Sequence, residues 1–379
     1  MDHTSRQLVD KAGREALDAV ASGILGAPAT VVGEPVFADI LAPHAEKRTI
    51  GVVKLRGEAR LADGSLRGWS VVAKLVDLGQ EPDVWTRWTR PEIEEIVYEE
   101  HYFADEGARF RPARCYLVST LEGGIRIFWL EDLTGARRPP FAVPDMAEMA
   151  RHLGEWNGAH IALPRLKFDL PTDIFAIRAD LPNFLRLYEI CKATDEAVFR
   201  PIYGDVPVAA AHEYRALYRA QNERIKQLPH GLAFGDCQVG NLFAGDGETI
   251  AVDWTSLASE PIGADGGALI GSALSWGPGI AEIARHERDL FEAYLAGLSA
   301  GGWRGNRDDV RRGYFSQFSQ YFFNFAAMIP VILSNEIWPP GVVEERLQVS
   351  IEEVPALVAP IVALLPAYVD ELRELAARP

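Results

Sequence analysis

Residues 232–269 read LAFGDCQVGNLFAGDGETIAVDWTSLASEPIGADGGAL. Asp236 is followed five residues later by Asn241, and Asp253 comes twelve residues after that. Those intervals suit phosphoryl transfer, which needs one carboxylate to take or orient an acceptor hydroxyl's proton and hard oxygen ligands to hold Mg²⁺ against the phosphates. One loop can present both an Asp and an Asn at this spacing. A short hairpin, 241–243 and 249–253 joined by AGDGE, then brings a second Asp back toward the same metal.

Working outward, the residues at 48–60 and 69–76 are rich in β-branched types and flank a turn containing Asp63-Gly64, which predicts a hairpin. A helix is expected over 90–105, where Ile93, Ile96 and Val97 fall near helical spacing. Two more strands follow at 115–120 and 125–131, joined by Glu122-Gly123-Gly124. The N-terminal third therefore reads as an antiparallel sheet with one helix inserted after its third strand. From about Asp145 the pattern turns helical, most clearly over 146–163 and 212–227, and LTGARRPP at 133–140 breaks regular structure between the two parts.

The 232–269 segment resembles the catalytic loop and metal-binding strand of the aminoglycoside phosphotransferase and choline kinase family, written H-G-D-x-x-x-x-N followed by I-D-W/F. Here the two motifs stand as F-G-D-C-Q-V-G-N and V-D-W. The resemblance implies that Asp236 is the catalytic base, Asn241 a Mg²⁺ ligand and Asp253 the chief Mg²⁺ ligand. Asp265 matches the family's later G-x-D, whose carboxylate braces the catalytic loop. Phe234 departs from the family's His, which mainly positions that loop.

The same resemblance extends upstream. A kinase needs a lysine on the α- and β-phosphates and a helix glutamate to hold it. Lys74 in WSVVAKLV and Glu94 in PEIEEIVYEEHY fill those places, Glu94 being preferred over Glu95 because the family often shows a Glu four residues before a Tyr, here Tyr98. IFWLEDLTG at 127–135 resembles the hinge that meets the adenine edge through backbone groups, here the Glu131 carbonyl and the Leu133 amide. Where other kinases carry a glycine-rich loop, LAPHAEKRTIGVV at 41–53 has Gly51 as its sole glycine.

The fold so implied is α+β and bilobal, protein-kinase-like. Its N-lobe would span 1–133 with a hinge at about 129–135, and a mostly helical C-lobe would span 134–379. ATP and Mg²⁺ are implied, with a small hydroxyl-bearing molecule as phosphoryl acceptor and an aminoglycoside or amino-sugar as the first expectation. Phe234 and the missing glycine-rich loop keep a second reading open, a catalytically weak nucleotide-binding module. Nucleotidyl transfer on the same scaffold is a third.

Composition narrows the field from the other side. The chain has 379 residues, 48% hydrophobic, and a formal net charge of −16, which argues against nucleic acid as a partner. Its three cysteines, Cys115, Cys191 and Cys237, are too few and scattered for a disulfide framework or a zinc site. Acidic residues interrupt the N-terminal apolar pattern, so no export signal and a cytoplasmic location are expected. The apolar run at 354–369 is broken by Pro355, Pro360 and Pro366 and reads as a buried packing segment, with no membrane partner expected. Cys237 reads as a small filler beside the base. Tyr314, Phe318, Tyr321 and Phe325 make one helical stripe that reads as core, Phe315, Phe322 and Phe323 flanking it.

Overall fold

The computed structural model describes residues 3–40, 48–79, 90–103, 108–161, 169–170, 200–318 and 341–378. The chain divides into two compact units, the first reaching to Ala136 and including Ile250–Ser256, the second made of Arg137–Thr249 and everything from Leu257 onward. The sequence reading leaves Ile250–Ser256 with the C-terminal part; the Ala113 amide donating to the Ala251 carbonyl at 3.0 Å, and Arg90 to Thr255 at 2.7 Å, tie it into the first unit instead.

The first unit opens with α1 (His3–Leu25) and β1 (Ala29–Asp39), then β2 (Thr49–Leu61), β3 (Leu66–Asp77), α2 (Pro91–Glu99), β4 (Phe110–Pro112), β5 (Cys115–Thr120) and β6 (Ile125–Glu131). Five of the strands form an antiparallel sheet in the order β1-β2-β3-β6-β5. Side chains alternate across a strand, so Val53, Leu55 and Ala59 of β2 share a face with Trp69, Val71, Ala73 and Leu75 of β3. That face is buried against Leu8, Val9, Leu17, Val20 and Ala21 of α1. By the same alternation Lys54, Ser70 and Lys74 stand on the opposite face.

The edge strand β1 escapes a period-two reading because Gly33 (φ 72°) and Pro35 interrupt it, and its register with β2 slips between Val32 and Val36. Helix α1 supplies what the sheet edge lacks. Asp18 Oδ1 accepts the Val31 N–H at 2.7 Å, and Arg14 donates to the Val31 and Gly33 carbonyls at 2.7 Å each.

The second unit contains α3 (Val143–Ala159), α4 (Arg200–Tyr203), α5 (Asp205–Ile225), β7 (His230–Ala233), β8 (Leu242–Ala244) and β10 (Ala258–Pro261); β9 (Thr249–Ala251) lies where the chain passes into the first unit. Helices α6 (Ala264–Ala273), α7 (Ile280–Arg285), α8 (Glu287–Ala300), α9 (307–318), α10 (Val342–Leu347), α11 (Val354–Val362) and α12 (Leu365–Ala377) complete it. Strands β7 and β10 pair antiparallel, Leu232 opposite Ser259.

Helices α3 and α8 approach at glycines. A Cβ on Gly154 would overlap the Tyr294 carbonyl, and one on Gly297 the Arg151 carbonyl, so backbone meets backbone with no side chain between. Arg311 of α9 ties two further helices together, 2.6 Å from Glu287 of α8 and 2.7 Å from Glu371 of α12. Tyr314, Phe315 and Phe318 are fully buried, as core residues would be; the rest of that aromatic run, Tyr321, Phe322, Phe323 and Phe325, lies outside the described residues.

Val354–Ala377 is long and apolar enough, at a mean hydropathy of 1.5, to cross a membrane by composition alone. It runs as two helices, each with Pro in its first turn, and places Val358, Ile361, Leu365, Val369 and Leu372 in the core.

Candidate active site

In the first unit, three sequence-predicted residues converge. Lys74 Nζ lies 2.7 Å from Glu94 Oε2, 3.0 Å from Glu94 Oε1 and 3.0 Å from Asp253 Oδ1. Pro91 starts α2 where its missing N–H costs nothing, and the helix then turns Ile93, Glu94, Val97 and Tyr98 inward. Glu94 is completely buried, whereas Glu95, one position on, points elsewhere and pairs with Arg126. The two glutamates that sequence could separate only by family pattern are thus separated by helix phase.

Asp253 lies two residues beyond the end of β9, in the left-handed region (φ 67°) that residues other than glycine seldom adopt. Thr255 Oγ1 donates to its Oδ1 at 2.9 Å, and the fully buried Trp254 anchors the turn by donating its indole N–H to the Ala251 carbonyl. Asp253 is therefore a turn residue rather than the strand residue the hairpin reading expects.

One ammonium shared by two carboxylates sets the electrostatics. Burial alone would lower Lys74, but Asp253 and Glu94 outweigh it and hold the ammonium above its ordinary range. For Asp253 burial acts upward, and the Lys74 charge with the Thr255 hydrogen bonds brings the carboxyl below its ordinary value. Glu94 stays raised by desolvation, Lys74 offsetting only part of it.

Along the same sheet face, Lys54 Nζ lies 2.7 Å from Asp132 Oδ2 and donates to Thr134 Oγ1 at 2.7 Å, while Ser70 donates to the same carboxylate. Burial would raise Asp132, but the bonds from Lys54, Ser70 and Thr134 prevail and bring it down to about 2. Sequence reasoning missed this cluster, although the even spacing of Ser70 and Lys74 in β3 puts them on one face. Beside it, the Glu131 amide donates to the Arg114 carbonyl at 2.8 Å and its carboxylate pairs with Arg111 at 2.8 Å; Leu133 is buried.

In the second unit, β7 runs into the loop that carries Asp236. Gly235 takes φ 82°, as a tight turn into the loop requires. Gln238 Nε2 donates to Asp236 Oδ2 at 2.9 Å, and Asn241 Nδ2 donates to the same oxygen at 3.0 Å and to the Asp236 carbonyl at 3.1 Å. The donor side of the Asn241 amide is turned toward the carboxylate, so its oxygen side faces away. Asn241 itself closes a 3₁₀ turn, Val239–Asn241, and not a strand.

Asp265, 3% exposed in α6, accepts the Phe234 N–H at 2.7 Å and the Gly235 N–H at 3.0 Å. Burial raises its carboxyl despite these donors. Phe234 is wholly buried, and its ring can offer no hydrogen bond to the loop. Cys237 is also wholly buried, and desolvation pushes its thiol well above the ordinary range, which suits a filler and not a nucleophile. Cys191 lies outside the described residues.

Over 89% of its length the chain is similar to the crystal structure of an aminoglycoside phosphotransferase from Alicyclobacillus acidocaldarius, of which 97% is covered, with a TM-score of 0.52 at 14% identity. The chain has the aminoglycoside phosphotransferase fold. A microcompartment-associated aminopropanol kinase is similar over 90% of this chain and 94% of its own, with a TM-score of 0.51 at 11% identity. No protein-family model and no curated protein matches the sequence. At such identities the likeness is one of fold.

Within this phosphotransferase fold, two more residues missed by sequence reasoning meet the Asp265 brace. Asn157 of α3 donates to Asp265 Oδ2 at 3.0 Å, and Tyr294 of α8 donates to Asn157 Oδ1 at 3.0 Å. Both lie far from residues 232–269 in sequence, and only the packing of α3 on α8 brings them to it.

Proposed function

We propose that this chain is an ATP- and Mg²⁺-dependent small-molecule kinase that moves the γ-phosphoryl group to a hydroxyl of its acceptor, an amino-sugar or aminoglycoside being the first class to test. The observation that carries the reading is the sharing of Lys74 between Glu94 and Asp253 within 3.0 Å. A buried lysine fixed in this way is a charged, oriented donor for phosphate oxygens, and the Asp beside it is an ionised hard ligand. The loop with Asp236 and Asn241 supplies the other two groups the chemistry needs.

Asp253 of the first unit offers a carboxylate and Asn241 of the second an amide oxygen, and each is a hard ligand of the kind Mg²⁺ takes. Mg²⁺ characteristically takes one or two protein oxygens and completes its shell with phosphate and water, and when bound it neutralises charge on the phosphates. In the proposed step the acceptor oxygen bonds to the γ-phosphorus as the bond to the β,γ-bridging oxygen breaks, Asp236 receives the hydroxyl proton, and ADP leaves. Lys74 holds the α- and β-phosphates, and Glu94 keeps Lys74 from drifting to Asp253 alone.

The test is mass spectrometry of a panel of hydroxyl-bearing metabolites and antibiotics incubated with the protein, ATP and Mg²⁺, beside an Asp236→Ala control. Gain of one phosphoryl group that the control lacks is the expected result. Gain of AMP would replace the reading by nucleotidyl transfer, and equal phosphorylation by Asp236→Ala would remove Asp236 from its role.

A further inference from the structure

We infer that Asn157 and Tyr294 are positioning residues for the proposed phosphoryl transfer, acting on Asp236 through Asp265 and the Phe234–Gly235 backbone. The inference rests on the reading of Asp236 as the catalytic base.

A continuous set of hydrogen bonds runs from α8 to the catalytic loop. The Tyr294 hydroxyl donates to Asn157 Oδ1 at 3.0 Å. Asn157 Nδ2 donates to Asp265 Oδ2 at 3.0 Å and to the Leu232 carbonyl at 3.1 Å. Asp265 in turn accepts the amides of Phe234 and Gly235, the two residues before Asp236. A primary amide has two donors and one acceptor oxygen, and Asn157 uses all of them with its side chain buried at 3% exposure. Buried polar groups left partly satisfied are costly, so the amide has one orientation while Tyr294 is in place.

That orientation matters because Phe234 leaves the loop without a polar side chain at this point. Gly235 (φ 82°) has no Cβ to fix its conformation, and the direction in which Asp236 leaves the turn depends on the two amides being held. Asp265 holds them, Oδ2 taking the Phe234 amide together with Asn157 and Oδ1 taking the Gly235 amide, so Asn157 helps to fix how the carboxylate is turned toward the loop. A further feature shows how closely this is built. Gly266, directly after Asp265, lies under the Tyr294 ring, where a Cβ would come within 3.0 Å of three ring carbons. A methyl group there would force the ring, and its hydroxyl, away from Asn157.

Three variants test this: Tyr294→Phe, which removes one hydroxyl; Asn157→Ala; and Gly266→Ala, which deletes no hydrogen-bonding group. The probes are Mg²⁺-dependent hydrolysis of ATP to ADP, binding of a fluorescent ATP analogue, and amide hydrogen exchange. All three variants are expected to lower kcat for hydrolysis by about tenfold or more, as misplacement of a reacting group does, with KM for ATP and analogue binding changed less than about threefold. Exchange at Phe234 and Gly235 should accelerate by about tenfold while α3 and α8 away from the site remain protected.

Unchanged exchange at those two amides would overturn the inference, and so would faster exchange with kcat intact, since that leaves a structural role alone. A kcat loss that merely tracks the folded fraction in thermal unfolding would overturn it too. Wild-type protein and Asp236→Ala report on the underlying reading: equal hydrolysis by both removes Asp236 as base, and the inference falls with it. Failure of the inference alone shows as hydrolysis that depends on Asp236 and ignores Tyr294.

Discussion

Lys74 Nζ lies 2.7 Å from Glu94 Oε2, and Glu94 has no exposed surface. A carboxylate so placed cannot be satisfied by water, so its charge depends on the Lys74 ammonium. Lys74→Met leaves Glu94 and Asp253 with no cation between them. Breaking a buried pair in this way costs about 3–5 kcal/mol, and urea unfolding should read it as a lower midpoint. The deficit should shrink as pH falls, because protonating either carboxylate relieves the repulsion. Glu94→Gln keeps the volume and should unfold within about 1–2 kcal/mol of wild type, a gap set by the charge-assisted hydrogen bonds it weakens. A Lys74→Met protein as stable as wild type at neutral pH would show that the two carboxylates are separately compensated.

Asp132 gives a stability dependence on pH of known sign. Its carboxyl, held by Lys54, Ser70 and Thr134, sits at about 2 against an ordinary 3.8. A lowered carboxyl contributes stability that is fully present above the unfolded value and is lost as pH falls through the folded one. Asp132→Asn should therefore be less stable than wild type by on the order of 1 kcal/mol near neutral pH, a figure reduced for partial solvent screening. The two unfolding curves should converge as pH drops from about 4 toward 2. A difference that stays constant across that window would mean the carboxylate charge contributes nothing.

The sheet and the loop that carries Asp236 and Asn241 were legible in the sequence for different reasons. Strands β2, β3, β5 and β6 carry β-branched alternation or glycine turns that declare themselves locally, whereas β1 hides behind Gly33, Pro35 and a register slip. Lys74, Glu94, Asp236, Asn241, Asp253 and Asp265 could be named because each sits in a short motif. Asn157, Tyr294, Lys54 and Asp132 could not, since each owes its place to contacts between segments remote in sequence. Even Asp253 was misjudged locally: a left-handed residue outside its strand leaves no mark in V-D-W.

Cys237 adjoins the proposed base, yet nothing about it favours chemistry. It is wholly buried, and desolvation, reinforced by the Asp265 and Asp236 charges, drives its thiol up. Iodoacetamide followed by peptide mass mapping should leave Cys237 unmodified in the native protein and label it fully in urea. Cys115, half-buried with its thiol pushed up to about 12, should react slowly. Rapid native labelling of Cys237 would mean that the loop around Asp236 opens readily.

The glycines between α3 and α8 set two effects of opposite sign against each other. Alanine is the better helix former by about 1 kcal/mol, so Gly154→Ala in the middle of α3 should stabilise if only the helix mattered. The added Cβ, however, would overlap the Tyr294 carbonyl, which belongs to a helix backbone and cannot rotate away as a side chain could. Overpacking against a rigid neighbour costs about 1–3 kcal/mol and more when backbone must move. The clash should win, lowering stability by about 1–2 kcal/mol net and displacing the helix that carries Tyr294. Gly135→Ala is the control, because nothing lies within 4 Å of the Cβ it would gain and its φ is not positive. Less backbone freedom in the unfolded chain should make that variant neutral or slightly more stable. Should thermal unfolding find Gly154→Ala as stable as Gly135→Ala, α3 and α8 must stand further apart than backbone contact, and the path from Tyr294 through Asn157 would have room to relax.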